Sequence, residues 1–271
     1  MNRKIIFLDI DGTLVNIKGV IPESTRKALH MAKENGHLLF ICSGRSRYQI
    51  HPELLALGFD GIVAAAGSHV IYRDQTLFHQ FIEKDERIRL MQYLDENKFV
   101  YIIQTDTHPI LNARCYQSFT ERFERLGMTG RQIDLIMKGV EIREDTWNHE
   151  REEKVVYNAA NLKLAQVMTD LAPYFSVTGS SLGDEEEGGE IGLASVNKAT
   201  GMQVCFDHLG IDRTDSIAFG DGPNDMEMIQ YAGIGVAMGN ANDRLKDMAD
   251  DVTASIDEDG IYRAFEKLQL I

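Results

Sequence analysis

Cysteine is scarce in this chain of 271 residues: its three thiols, Cys42, Cys115 and Cys205, are widely spaced, and no Cys-x-x-Cys pair occurs. An odd, scattered set builds neither a disulfide framework nor a thiolate zinc site, so a reducing, cytoplasmic setting is expected. Positive charge is also short, with 28 Lys and Arg against 42 Asp and Glu and a formal net charge of -14. That balance opposes a nucleic-acid backbone as partner, which would call for clustered cations. An anionic small molecule stays compatible if its site supplies local positive charge. No window approaches the roughly eighteen uninterrupted apolar residues of a membrane span, and Asp9 and Asp11 interrupt what would be the apolar segment of a signal peptide. Neither an internal repeat nor a low-complexity tract is evident. No strand is followed by Gly-x-Gly-x-x-Gly, which argues against a dinucleotide site.

What is present is an ordinary globular composition, 44% apolar and 26% charged, long enough for one large core or two modest ones. Its most informative segment is Asp9-Ile10-Asp11-Gly12-Thr13, which ends the apolar run Ile5-Ile6-Phe7-Leu8. An unbroken β-branched and aromatic run reads as a parallel strand buried on both faces. Side chains alternate along a strand, so Asp9 and Asp11 would point the same way. An Asp-Gly turn without chemistry is the plainer reading. Two carboxylates this close, however, repel by about 1 to 4 kcal/mol depending on the local dielectric, and a metal ion or a shared proton would relieve that.

Elements alternate after this run. Pro22-Glu23-Ser24-Thr25 starts a helix that carries Ala28, Leu29 and Ala32 and stops at Asn35-Gly36; apolar runs at Leu38–Ile41 and Ile62–Ala64 follow. This β-α-β-α-β rhythm predicts an α/β fold with a doubly wound parallel sheet, Rossmann-like in layout. The rhythm is lost in the middle. Helices are predicted over 83–97, 114–126 and 162–171 and strands over 99–104 and 154–160, which describes an inserted α+β domain. That domain closes with the acidic loop Asp184-Glu185-Glu186-Glu187, a solvated stretch. From Lys198 the first rhythm resumes with a helix to His208, a strand Ser216–Phe219, a helix opened by Pro223 and a strand near Ile234–Val236. The expected division is therefore a core of residues 1–82 and 187–271 around an inserted cap, 83–186.

A second acidic strand end, Gly220-Asp221-Gly222-Pro223-Asn224-Asp225, follows the apolar strand Ser216–Phe219. Ligands of open α/β sheets bind at the carboxyl ends of strands, so these carboxylates and Asp9/Asp11 are expected to face one crevice. Four carboxylates with no Cys or His suit Mg²⁺. A third strand end, Cys42-Ser43-Gly44-Arg45, offers the Ser43 hydroxyl and the Gly44 amide to an anion. Lys198 would serve as a compact counter-charge. A cysteine-phosphatase loop needs Arg six positions after the thiol, and Tyr48 stands there, so Cys42 reads as a buried thiol.

In order, Asp9-Ile10-Asp11-Gly12-Thr13, Ser43, Lys198 and Gly220-Asp221-Gly222-Pro223-Asn224-Asp225 resemble the four motifs of the haloacid dehalogenase superfamily. The long insertion between the second and third motifs resembles its Cof-type, sugar-phosphatase-like branch with a type IIB cap. The resemblance implies a Mg²⁺-dependent phosphatase of small phosphate esters that forms an aspartyl-phosphate. Within it Asp9 is the nucleophile and Asp11 the general acid/base. Ile10, Ser43, Gly44, Lys198 and Asn224 bind phosphate, and Asp9, Asp11, Asp221 and Asp225 form the metal site, Asp225 supporting either the metal or Lys198. It also implies a protein with no membrane partner, monomeric or homodimeric. A phosphomutase using the same chemistry and a non-catalytic phospholigand-binding protein are the alternatives. Where many relatives carry Asn-Gly after the third strand, this chain has Ala66-Gly67-Ser68.

Overall fold

The computed structural model describes residues 3–128, 130–146, 148–158, 162–179 and 188–271. In chain order it begins β1 (Ile5–Leu8), α1 (Glu23–Glu34), β2 (Leu38–Cys42), α2 (Pro52–Leu55), β3 (Gly61–Ala64), β4 (His69–Tyr72) and β5 (Gln75–His79). An insertion follows: α3 (Lys84–Glu96), β6 (Val100–Thr105), β7 (Pro109–Leu111), α4 (Ala113–Arg125), α5 (Gly130–Ile136), β8 (Glu141–Ile142), β9 (Glu152–Asn158), α6 (Leu164–Leu171), β10 (Phe175–Gly179) and β11 (Gly188–Leu193). The chain returns through α7 (Lys198–Leu209), β12 (Ser216–Gly220), α8 (Met226–Tyr231), β13 (Ile234–Ala237), α9 (Asp243–Met248), β14 (Asp251–Val252) and α10 (Gly260–Lys267). No described helix is long and apolar enough to cross a membrane.

The first unit is an eight-stranded sheet in the order β14-β13-β12-β1-β2-β3-β4-β5. Its strands run parallel from β14 to β3, and the hairpin β4–β5 closes the far edge antiparallel. The hairpin turns at Arg73 and Asp74, whose φ values of 46° and 64° give the mirror-image turn that matches strand twist. Both faces of β1 are buried, as its uniform apolarity requires. Ile6 and Leu8 pack with Ala28, Leu29 and Ala32 of α1 and Phe265 of α10. Ile5 and Phe7 pack on the other face with Met202 and Phe206 of α7, the Phe7 and Phe206 rings meeting edge-on at 5.8 Å. Gly201 lets α7 come this close, since a Cβ there would lie 2.4 Å from Val63.

The second unit is a six-stranded sheet in the order β10-β11-β9-β6-β7-β8, antiparallel except between β7 and β8. Tyr101, Ile103, Val155 and Tyr157 form its core with Leu90 and Leu94 of α3, Phe119 of α4, and Val167 and Leu171 of α6. The fold class is thus the expected one, a doubly wound parallel sheet with an inserted α+β domain.

Its boundaries differ from those read in the sequence. The first unit comprises 1–44, 50–79 and 197–271, and the second 45–49 and 80–196. Residues 188–193 fall outside the expected cap range, yet they form β11, which pairs on one side with β9 and on the other with β10. Pro223 opens a 3-10 turn, Pro223–Asp225, and the α-helix starts only at Met226. The acidic loop 184–187 lies outside the described residues.

Candidate active site

Strand alternation puts Asp9 on the α7 side of the sheet, in line with Ile5 and Phe7. Lys198 is the first residue of α7, whose start is fixed by a reciprocal cap: the Asn197 side chain accepts from the Thr200 amide, and the Thr200 hydroxyl accepts from the Asn197 amide. The Lys198 ammonium, 1% exposed, donates to Asp9 Oδ1 at 2.6 Å and to Asp225 Oδ1 at 2.5 Å. Asp225 is wholly buried, and its other oxygen accepts from the Asp221 and Gly222 amides, both at 2.9 Å. One carboxylate thereby shapes the loop after β12 and anchors the lysine.

Oxygens of Asp9, Asp221 and Asp225 lie within 4.8 Å of one another. Burial pushes the Asp9 carboxyl well above the usual carboxylate range, and the charges of Asp225, Asp11 and Asp221 add to that push while Lys198 opposes it. Burial and Asp225 raise Asp221 to about 7, against the lowering effect of the Thr13 hydroxyl bonded to its Oδ1 at 3.3 Å. Burial works against the Lys198 charge, but Asp225 and Asp9 overcome it and hold the ammonium protonated. The cluster is therefore short of positive charge. An all-oxygen donor set in that condition fits a hard divalent cation.

Three of the four predicted carboxylates thus converge. Asp11 is exposed, and its charge adds to those raising Asp9 and Asp221. Between them the chain turns tightly, the Ile10 carbonyl accepting from the Leu14 and Val15 amides at 2.9 and 2.8 Å. Ser43, 2% exposed, follows β2, which runs parallel to β1 with Ile41 opposite Leu8. Its main chain is held by the Val63 carbonyl and the Ala66 amide. Gly44 is buried and Asn224 half-buried beside Gly222. Cys42 is a buried free thiol whose pKa burial pushes up, as its reading as a packing residue expects.

Sequence reasoning missed Asn240, on the loop after β13. Its carboxamide donates to the Gly12 carbonyl at 2.9 Å and to Asp221 Oδ2 at 3.3 Å. The available signal was weak: one more Gly-Asn pair at the end of one more parallel strand.

The family model described as haloacid dehalogenase-like hydrolase matches residues 6–265. YkrA of Bacillus subtilis is 33% identical over 276 residues, covering 100% of both chains. YitU of Bacillus subtilis, named a 5-amino-6-(5-phospho-D-ribitylamino)uracil phosphatase, is 27% identical over 96% of this chain and 95% of its own. The solved structure of BT4131, described as a subclass IIB sugar phosphatase, is 26% identical and superposes with a TM-score of 0.80 over 99% of this chain and 100% of that one. The sequence motifs, the two-unit fold and these likenesses agree: the chain belongs to the haloacid dehalogenase-like hydrolases, as a phosphatase of their Cof-type branch.

Proposed function

We propose that the protein is a Mg²⁺-dependent phosphatase of small phosphorylated metabolites, sugar phosphates or similar esters, acting through an aspartyl-phosphate on Asp9. One observation carries the reading. The Asp9 carboxyl, 4% exposed, meets the Lys198 ammonium at 2.6 Å while oxygens of Asp221 and Asp225 crowd within 4.8 Å. A turn aspartate needs neither a buried lysine nor two further carboxylates. The sugar-phosphatase description of BT4131 and the phosphoribityl compound in the name of YitU support a phosphorylated sugar or polyol as the ester.

In this reading an Asp9 oxygen attacks phosphorus in line, and the bond from phosphorus to the leaving oxygen breaks as the new one forms. Asp11 gives a proton to the departing alkoxide. It then takes one from the water that opens the aspartyl-phosphate, which frees inorganic phosphate and restores Asp9. The Ser43 hydroxyl, the Gly44 and Ile10 amides and the Asn224 side chain hold phosphoryl oxygens, and Lys198 offsets their charge. Asp9, Asp221 and the Asp11 main chain would hold the cation, with Asp225 fixing the Asp221 loop and Lys198 behind them. When bound, the cation would neutralise charge on the transferring group.

The test is turnover of a panel of phosphorylated sugars and polyols by wild type and Asp9→Asn, with Mg²⁺ and with chelator. A loss of about 10³-fold or more in kcat is expected for the variant. Full activity in Asp9→Asn would sink the nucleophile assignment, and undiminished wild-type turnover in chelator would sink the cation.

A further inference from the structure

Asn240 joins three loops that are remote in sequence. Its two amide hydrogens go to the Gly12 carbonyl (2.9 Å) and to Asp221 Oδ2 (3.3 Å), and its Oδ1 accepts from the Ile256 amide at 2.9 Å. Its own turn is tied down on both sides. The Met238 amide donates to the Gly220 carbonyl at 2.9 Å, the Ala241 amide to the Met238 carbonyl at 2.9 Å, and the Gly239 amide to the Ala254 carbonyl at 3.0 Å.

The side chain is nevertheless exposed. An exposed carboxamide held on three partners gives up rotamer freedom, and packing does not demand it. What the bonds accomplish is local. With the Thr13 hydroxyl on Oδ1 and Asn240 on Oδ2, both oxygens of Asp221 are oriented from the side, and the Gly12 carbonyl is held at a fixed separation from that carboxylate.

We infer that Asn240 is a positioning residue that preforms the cation site by locking the Asp221 carboxylate to the turn after Asp11. This rests on the metal-assisted phosphatase reading. A carboxylate free to turn must be ordered when the cation arrives, whereas one already held presents its oxygens in place. Removing a donor to a charged acceptor should weaken cation binding by about tenfold or more. Substrate binding, which Asn240 does not touch in this scheme, should change little.

Two variants separate the possibilities. Asn240→Ala removes every contact. Asn240→Asp keeps an acceptor for the Ile256 amide but loses both donors, so it separates the bonds to Gly12 and Asp221 from the tether to the Ile256 loop. Mg²⁺ binding would be measured by calorimetric titration without substrate. The Mg²⁺ activation constant, the substrate KM and kcat at saturating Mg²⁺ would be measured alongside, and urea unfolding would be followed in chelator. The expected result is a Mg²⁺ affinity at least about tenfold weaker in both variants, with KM and saturating kcat within about threefold of wild type. Unchanged or tighter Mg²⁺ binding in Asn240→Asp overturns the inference, as does a loss of metal-free stability with no loss of affinity. A wild-type protein that binds no Mg²⁺ overturns the Mg²⁺-dependent reading together with it, which distinguishes the two failures.

Discussion

Gly12 stands so close to Asp221 that a Cβ at residue 12 would lie 2.0 Å from Asp221 Oδ2. Its φ of 83° is also in the left-handed region, which costs an alanine about 1–2 kcal/mol. Gly12→Ala should therefore displace the Asp221 carboxylate as well as strain the turn. Mg²⁺ affinity is expected to fall by about tenfold or more, in addition to the strain read from the urea midpoint in chelator; equal Mg²⁺ binding by calorimetry would refute this.

Lys198 is the counter-charge for both Asp9 and Asp225. Lys198→Met keeps the bulk of the side chain and leaves two buried carboxylates without a cation. Breaking a buried pair in this way destabilises by about 3–5 kcal/mol. Added Mg²⁺ should restore part of that loss, which urea unfolding with and without the ion would reveal; a variant as stable as wild type in chelator would contradict the assignment.

Cation binding should depend on pH. Asp221 titrates near 7 and Asp9 is raised by burial, so below neutrality the ion must displace protons that the site retains. Affinity should therefore rise with pH, by up to about tenfold per unit for each proton displaced, and level off above the upper pKa. Titrations between about pH 6 and 8 in buffers of different ionisation enthalpy should report proton release, and a flat profile would argue against these shifts.

The second unit contains its own pH-sensitive carboxyl. Burial raises Glu152 to about 8 from its ordinary 4.5, and the Arg87 guanidinium, 3.8 Å away, only partly opposes this. Neither Glu152 oxygen has a hydrogen-bond partner among the described residues. The folded chain keeps this proton between about 4.5 and 8 while the unfolded chain has lost it, so the residue's contribution to stability falls as pH rises through that window. The slope approaches about 1.4 kcal/mol per pH unit. Glu152→Gln should remove that slope and raise stability most at about pH 8 and above; an unchanged dependence of the urea midpoint on pH would overturn this.

The Ala65-Ala66 pair after β3 carries φ values of 49° and 53°, in the region alanine resists. The turn is held by the Ala66 amide on the Ser43 carbonyl and the Ser68 amide on the Ala65 carbonyl. Ala66→Gly relieves one of the two strained residues, and after the greater freedom of unfolded glycine is subtracted it should stabilise by about 0.5–1 kcal/mol. Phosphatase activity should stay unchanged. A destabilised variant would show that the methyl group contributes more than the strain removes.

The elements of this fold were legible because their signals are local. An unbroken apolar run buried on both faces produced β1, and helical spacing from a Pro-Glu-Ser-Thr start produced α1 within a residue of its ends. The return of the chain to the core was read too early, because the Gly-rich run 188–193 shows little of the alternation that marks a strand, and only its pairing with β9 and β10 assigns it to the second sheet.

The sequence by itself determined the chemistry available at three strand ends and one helix start: Asp9 and Asp11, Ser43 and the Asp221–Asp225 loop, each following an apolar run whose composition dictates a strand, and Lys198 at the start of α7. Tertiary structure decided which of them meet. The order β13-β12-β1-β2 brings Asp9 against Lys198, 189 positions later, and Asn240 against Gly12, 228 positions earlier. It also brought oxygens of Asp9, Asp221 and Asp225 within 4.8 Å of one another. Periodicity constrains neighbours along the chain, whereas parallel crossovers and burial set the distances between residues hundreds of positions apart, and with them the charge balance of the site.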